Sequence, residues 1–179
     1  MWSRHIALAV TAATLAGGGP VRSPVFPSAP ACTGPEYRQF DFFVGDWDTY
    51  EVGEPDSLVA RNYVTPMVGG CALREVYQQN DGLSGESFSS YDRSRGVWHQ
   101  SWVTNRGQLL LLEGGLEGNR MVLTAPEQEA DGSTSLLRGT WWREGANVRE
   151  LAERSHDGGQ TWETVFDIVF RPHRAETGG

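Results

Sequence analysis

From Phe40 onward the chain alternates short apolar runs with clusters of turn-forming residues at even intervals. The runs fall at roughly 42–52, 57–67, 70–79, 84–92, 96–104, 107–115, 119–125, 134–143, 147–155 and 161–171. Between them stand Gly53-Glu54-Pro55-Asp56, Asn80-Asp81-Gly82, Asn105-Arg106-Gly107, Ala130-Asp131-Gly132 and similar groups. Asn or Asp next to Gly between β-rich runs is a hairpin signal, because the tight reversals that join twisted strands need positive φ. No stretch sustains a helical period. The best helical candidate is one short turn at Pro35-Glu36-Tyr37-Arg38-Gln39-Phe40. About ten consecutive strands joined by tight turns predict an all-β fold, and a sheet that wide closes on itself to remove its edges. The expected architecture is a single up-and-down antiparallel β-barrel, its interior either packed solid or holding one small ligand.

Residues of one parity along a strand share a face. In Val97-Trp98-His99-Gln100-Ser101-Trp102-Val103, Trp98, Gln100 and Trp102 lie together, and two indoles flanking an amide make a candidate pocket wall. His99 takes the other face. In Cys71-Ala72-Leu73-Arg74-Glu75-Val76-Tyr77, Leu73, Glu75 and Tyr77 share a face. If Leu73 faces the core, Glu75 is a buried carboxyl that needs a cationic partner or a proton. Arg138 or Arg149 on later strands is the expected partner, so Glu75 either faces a ligand or forms a structural ion pair. The candidate ligand-binding set is therefore Glu75, Tyr77, Trp98, Gln100, Trp102 and Arg138. On the last strand Trp162, Thr164, Phe166, Ile168 and Phe170 read as a core face, with Asp167 outward.

Composition narrows the chemistry. The 179 residues hold 23 acidic and 15 basic side chains, a net charge of -8, so nucleic acid is not an expected partner. Every basic residue other than His is Arg, which removes Schiff-base and P-loop lysine chemistry. There is no G-x-S-x-G, no H-E-x-x-H and no spacing of metal ligands, so no metal is expected and no cofactor follows from the residues. Arg4 followed by the apolar run Ile6 to Ala16 has the form of a signal peptide and is too short for a membrane span. Cleavage would follow Ala16 or Ala31. The expected layout is a signal peptide and linker over 1–31, a barrel over 32–172 and a disordered tail over 173–179. In an exported protein Cys32 and Cys71 would form a disulfide worth about 3–4 kcal/mol in the chain-entropy view. Cys32 also stands where a lipoprotein anchor would, but Ala29 replaces the larger aliphatic usual there, and export without an anchor is the expectation.

Ser155-His156-Asp157-Gly158-Gly159-Gln160-Thr161-Trp162 matches the S-x-D-x-G-x-T-W Asp-box of sialidases. A sialidase propeller needs several blades and several hundred residues, and one box is present. The stretch reads as a hairpin turn, with Asp157 bonding its own backbone and the two glycines allowing the reversal.

A wider resemblance runs along the chain. Phe40-Asp41-Phe42-Phe43-Val44-Gly45-Asp46-Trp47 is similar to the F-D-F-W-x-G-x-W opening of a family of mostly exported bacterial proteins, with Phe43 where Trp is commoner. The likeness continues through Gly70-Cys71-Ala72-Leu73-Arg74-Glu75, Gly85-Glu86-Ser87-Phe88-Ser89-Ser90-Tyr91-Asp92, Trp98-His99-Gln100-Ser101-Trp102, Gly114-Gly115-Leu116, Arg120-Met121-Val122-Leu123 and the Asp-box hairpin, covering about 32–171. It implies a calycin-like barrel, similar in architecture to lipocalins and nitrobindins, and brings no assigned reaction. Nitrobindin-like relatives bind haem through a histidine and carry G-x-W-x-G-x-G. Here Gly45-Asp46-Trp47 is followed by Asp48-Thr49-Tyr50, leaving His99 or His173 as the haem ligand to be tested. The leading expectation is an exported barrel that binds a small apolar or amphipathic ligand. The alternatives are a cyclase or isomerase using Glu75, and a haem protein.

Overall fold

The computed structural model describes residues 32–175. Ten strands follow one another: β1 (Gly45–Glu51), β2 (Glu54–Met67), β3 (Ala72–Gln79), β4 (Ser84–Asp92), β5 (Val97–Thr104), β6 (Leu109–Glu117), β7 (Arg120–Gln128), β8 (Thr134–Glu144), β9 (Asn147–Ser155) and β10 (Glu163–Pro172). Each pairs antiparallel with its sequence neighbour, and β1 pairs with β10 to close the barrel. The predicted signal peptide and linker lie outside the described residues, as do the last four residues of the predicted tail. His173 is tied to β1, its N–H donating to the Asp46 carbonyl at 2.9 Å. Among the described residues no helix is long and apolar enough to cross a membrane.

Inward positions are apolar at one pole. The chain enters there through 3-10 turns at Pro35–Arg38 and Asp41–Phe43. Phe40 and Phe43 from this segment are fully buried, and their rings stack on each other and meet Trp98, Trp141 and Phe170 edge-on. The Trp47 indole N–H donates to the Phe43 carbonyl, which fixes where the segment enters β1. Cys32 and Cys71 are disulfide-bonded, joining the segment to the β2–β3 connection, and Arg38 reaches the Gly70 carbonyl beside them. A Cys32 sulfur held in that bridge is not free for a thioether lipid anchor. The N-terminal segment is thus a stapled plug.

The outer wall is crossed by ion pairs: Arg61 to Asp46 and Asp48, Arg74 to Glu86, Arg95 to Glu113, Arg138 to Glu153 and Arg149 to Asp167. Two expectations change here. Arg138 and Arg149, the anticipated partners of Glu75, point outward. Arg138 alternates with the inward Leu137 and Gly139, pairs with Glu153 at 2.8 Å and lies 3.8 Å from the Trp162 ring. Trp162 and Thr164 are not core either. A bulge between Thr164 and Phe166 inserts one residue and reverses the parity of everything before it, so Ile168 and Phe170 are buried while Trp162 lies outside against Arg138.

The Asp-box is the β9–β10 turn. Asp157 accepts the Thr161 hydroxyl at 2.6 Å and the backbone N–H groups of Thr161 and Gln160 at 2.8 and 2.9 Å, which hold its carboxyl well below the usual range. Gly158 and Gly159 take φ of 75° and 92°, the left-handed region that side chains avoid. Ser155, Asp157, Gln160, Thr161 and the Trp162 N–H all bond within the motif and hold the reversal.

Candidate functional site

The plug fills one pole and leaves the other open. A cavity of about 390 Å³ lies at the pole that carries the β1–β2, β3–β4, β5–β6 and β9–β10 turns. This is the size of small-molecule sites, roughly 300–1,000 Å³. Trp141 forms the boundary, lining the cavity while its ring meets the plug residue Phe40. The wall is apolar through Leu110, Leu112, Leu137 and Ile168, and the mouth is framed by Gln79, Leu83, Thr104 and Gln108. Gly139 and Ala152 are direct partners across β8 and β9; the absent side chain of Gly139 makes room for the Trp141 ring, and the small Ala152 leaves space in the cavity beside it.

Four of the six sequence-predicted ligand residues line this cavity: Glu75, Tyr77, Gln100 and Trp102. The two indoles of β5 part company. Trp102 reaches the cavity, with the Tyr77 ring edge-on to it at 6.1 Å. Trp98 lies one repeat deeper, 2% exposed, among Phe40 and Tyr91, and its N–H donates to Gln39 of the plug at 3.0 Å. It is a core residue and not a cavity wall. Arg138 is outside, as described above.

Glu75 is 8% exposed, and its oxygens accept from Asn62 Nδ2 at 3.0 Å and from the Ser87 hydroxyl at 2.8 Å. Gln100 extends the network, donating to Ser89 at 3.1 Å and to Ser87 at 3.4 Å. No arginine joins it. Burial pushes the Glu75 carboxyl above its ordinary value, and the two donors offset part of that shift.

A second carboxyl was not anticipated. Glu150 on β9 lines the same cavity, and β9 stands four places from β3 around the shorter arc. Part of its surface opens on the cavity while the group sits deep in the protein. Burial first, then repulsion from Glu75, hold it well above the ordinary carboxyl range, with relief from the Trp141 side chain. The repulsion falls on the acid that ionises second, which is the one with fewer donors. Parity carried the signal for Glu150, since Val148 and Ala152, two residues to either side, are buried. The apolar Leu151 drew attention to the opposite face. Tyr77 reports the same field. Its phenol is pushed above the usual range by burial and by Glu150, Glu75, Asp81 and Glu51 in that order, and stays a donor at all ordinary pH.

Neither candidate haem ligand reaches the cavity. His99 lies on the outer wall within 3.3 Å of Glu113, and His173 lies within 3.0 Å of Asp48. The cavity offers no imidazole, so its residues do not fit a histidine-ligated haem. Among the described residues no group of three or more His, Cys, Asp or Glu side chains is arranged to hold a metal ion. The chain matches no model of a known protein family and no curated protein.

Proposed function

We propose that this chain is an exported small-molecule-binding barrel of calycin type, a member of the family whose motifs it resembles. The observation that carries the binding reading is the cavity itself: an apolar chamber of about 390 Å³, with Gln100, Tyr77 and two carboxyls set into its wall. A packed structural barrel has no reason to keep polar groups around a void, because each costs desolvation that Leu would not. The Cys32–Cys71 bridge fits an oxidising compartment and so supports export. The test is tryptophan emission of the purified protein titrated with a panel of small apolar and amphipathic compounds, together with native mass spectrometry for a copurified ligand. Trp102→Phe and Trp141→Phe each weaken the emission response and Trp98→Phe leaves it, because Trp102 and Trp141 line the cavity and Trp98 does not. Silence across the panel with no copurified ligand counts against binding.

A second reading is favoured by the raised acids. A carboxyl raised above its ordinary value by an apolar enclosure can act as a general acid, and its neighbour as a base. On this reading Glu75 moves a proton in a cyclisation or isomerisation of the bound compound. Glu75→Gln then retains binding and abolishes conversion, while recovery of the unchanged ligand from the wild-type protein removes the idea.

A further inference from the structure

Four charged side chains line the cavity: Glu51, Glu75, Glu150 and Arg154. Arg154 is already engaged at the rim, 2.5 Å from Glu127 and 3.5 Å from Glu129. The chamber therefore sets three acids against one arginine, whose terminal nitrogen is committed to Glu127 and whose Nε lacks a hydrogen-bond acceptor. Hydrogen bonding around Glu75 leaves acceptors over. Asn62, 1% exposed, gives its N–H to Glu75 and leaves its buried Oδ1 without a donor. Glu75 uses two of the roughly four acceptor positions of a carboxylate. What Glu75 and Glu150 lack is a positively charged donor: among the described residues no arginine pairs with either. Below the polar mouth and Gln100 the remaining surface is aromatic and aliphatic, with the Trp102 and Tyr77 rings at one side, and ring faces attract cations as well as hydrocarbon.

We infer that the cavity takes an organic cation, a small apolar amine whose ammonium group is received by Glu75 and Glu150 and whose hydrocarbon part lies against Trp102, Leu110 and Leu112. The inference rests on the reading of the cavity as a ligand site and adds the chemical class of the ligand. A metal ion is disfavoured by the same wall, which among the described residues brings no three ligating side chains together. An anion would meet three carboxyls and one arginine already paired with Glu127. A neutral ligand would give neither acid a counter-charge, so the carboxylate form of both would stay disfavoured and their charge would add nothing to holding it.

The experiment uses three probes of one shape and different charge at pH 7.5: 2-phenylethylamine, 2-phenylethanol and 3-phenylpropionate, titrated by calorimetry and by tryptophan emission. The amine should bind about tenfold or more tighter than the alcohol, the increment expected of a charge-assisted hydrogen bond. The carboxylate should not bind. In Glu150→Gln and Glu75→Gln the amine's advantage should fall by about the same factor while the alcohol's affinity holds, which also shows that the variants are folded. If the alcohol or the carboxylate binds as well as the amine, the cation is wrong and the ligand-binding reading survives. An amine that binds the Glu75→Gln, Glu150→Gln double variant undiminished is held by the acidic exterior, and the inference fails. If no probe binds and the broader panel is silent too, binding itself fails along with it.

Discussion

Two acids enclosed in one cavity make the protein's stability fall as pH rises, and Glu150→Gln isolates the effect. Above its ordinary value of 4.5 the Glu150 carboxyl of an unfolded chain has lost its proton, while the folded protein holds it well above that value. The folded state then binds more protons than the unfolded state, so unfolding free energy declines with pH through this window. The limiting slope is about 1.4 kcal/mol per pH unit for each proton of difference. Glu75 is shifted in the same direction and adds to it. The paired outer-wall acids, Asp48 and Glu86 among them, are shifted down by their arginines. Their contribution is present above the ordinary carboxyl value and is lost below it, outside the window and opposite in sign. Gln matches the shape of a protonated Glu, so at pH 4 the variant and the parent should be about equally stable. From pH 5 upward Glu150→Gln should become progressively the more stable, by an increment that grows until the folded carboxyl ionises. Urea unfolding followed by tryptophan emission at unit steps from pH 4 to pH 8 gives the difference directly, and every group common to both proteins cancels from it. A difference that stays flat between pH 5 and pH 8, or that favours the parent, would refute the claim that Glu150 is enclosed with Glu75.

Three further outcomes follow from the plug and the chamber. Replacing both cysteines, Cys32→Ser with Cys71→Ser, frees a loop with a sequence separation of 39 and should cost about 4 kcal/mol by chain entropy, read as a lower urea midpoint and absent if the plug is held without its staple. Phe40→Ala removes a ring with no exposure that touches Phe43, Trp98 and Trp141, and should cost about 3–5 kcal/mol in the same assay; a loss under about 1 kcal/mol would mean the segment is not part of the core. Ala152→Leu puts a branched side chain into the space opposite Gly139, so it should abolish ligand-induced emission change while the melting temperature holds or rises; unchanged titration would place the ligand elsewhere.

How much of this was legible before the coordinates depended on what a period-2 pattern encodes. The ten runs and the hairpin turns were readable because Asp-Gly pairs at 81–82, 131–132 and 157–158 and other glycine-containing clusters punctuate the chain where the strands reverse, and the barrel followed from edge closure. Parity also put Glu75 and Tyr77 with Leu73, and Gln100 with Trp102, on the inward face. It gives no position along the barrel axis, however. Trp98 and Trp102 share a face, yet Phe40 occupies the space against one and not the other. The plug is built from irregular backbone with no period to read, so the division of the interior was invisible. Where both parities are apolar the face itself was ambiguous: Leu136-Leu137 hid the outward turn of Arg138, and Leu151 hid the inward turn of Glu150. The bulge at the start of β10 displaced Trp162 and Thr164 in a way that no alternation rule foresees.

The two poles of the barrel follow opposite logics. At the plugged pole stability is maximised: Phe40, Phe43, Trp98 and Phe170 are all essentially unexposed, and Trp47 and Trp98 spend their N–H groups on the entering segment. At the open pole the chain forgoes stability. A chamber is left beside Ala152, and Glu75 and Glu150 line it at a cost in desolvation that no arginine offsets. Trp141 marks the border, with one neighbour in each regime. A core deficient through poor packing would be deficient in apolar contacts, whereas this one has acids and hydrogen-bonded donors set around its space in an ordered network from Asn62 to Ser89. Rigid wall, stapled floor and preorganised polar groups are what lower the entropic cost of holding a small molecule. The plug thus serves the site at the far end, because a barrel sealed and stiffened at one pole can leave the other empty without collapsing.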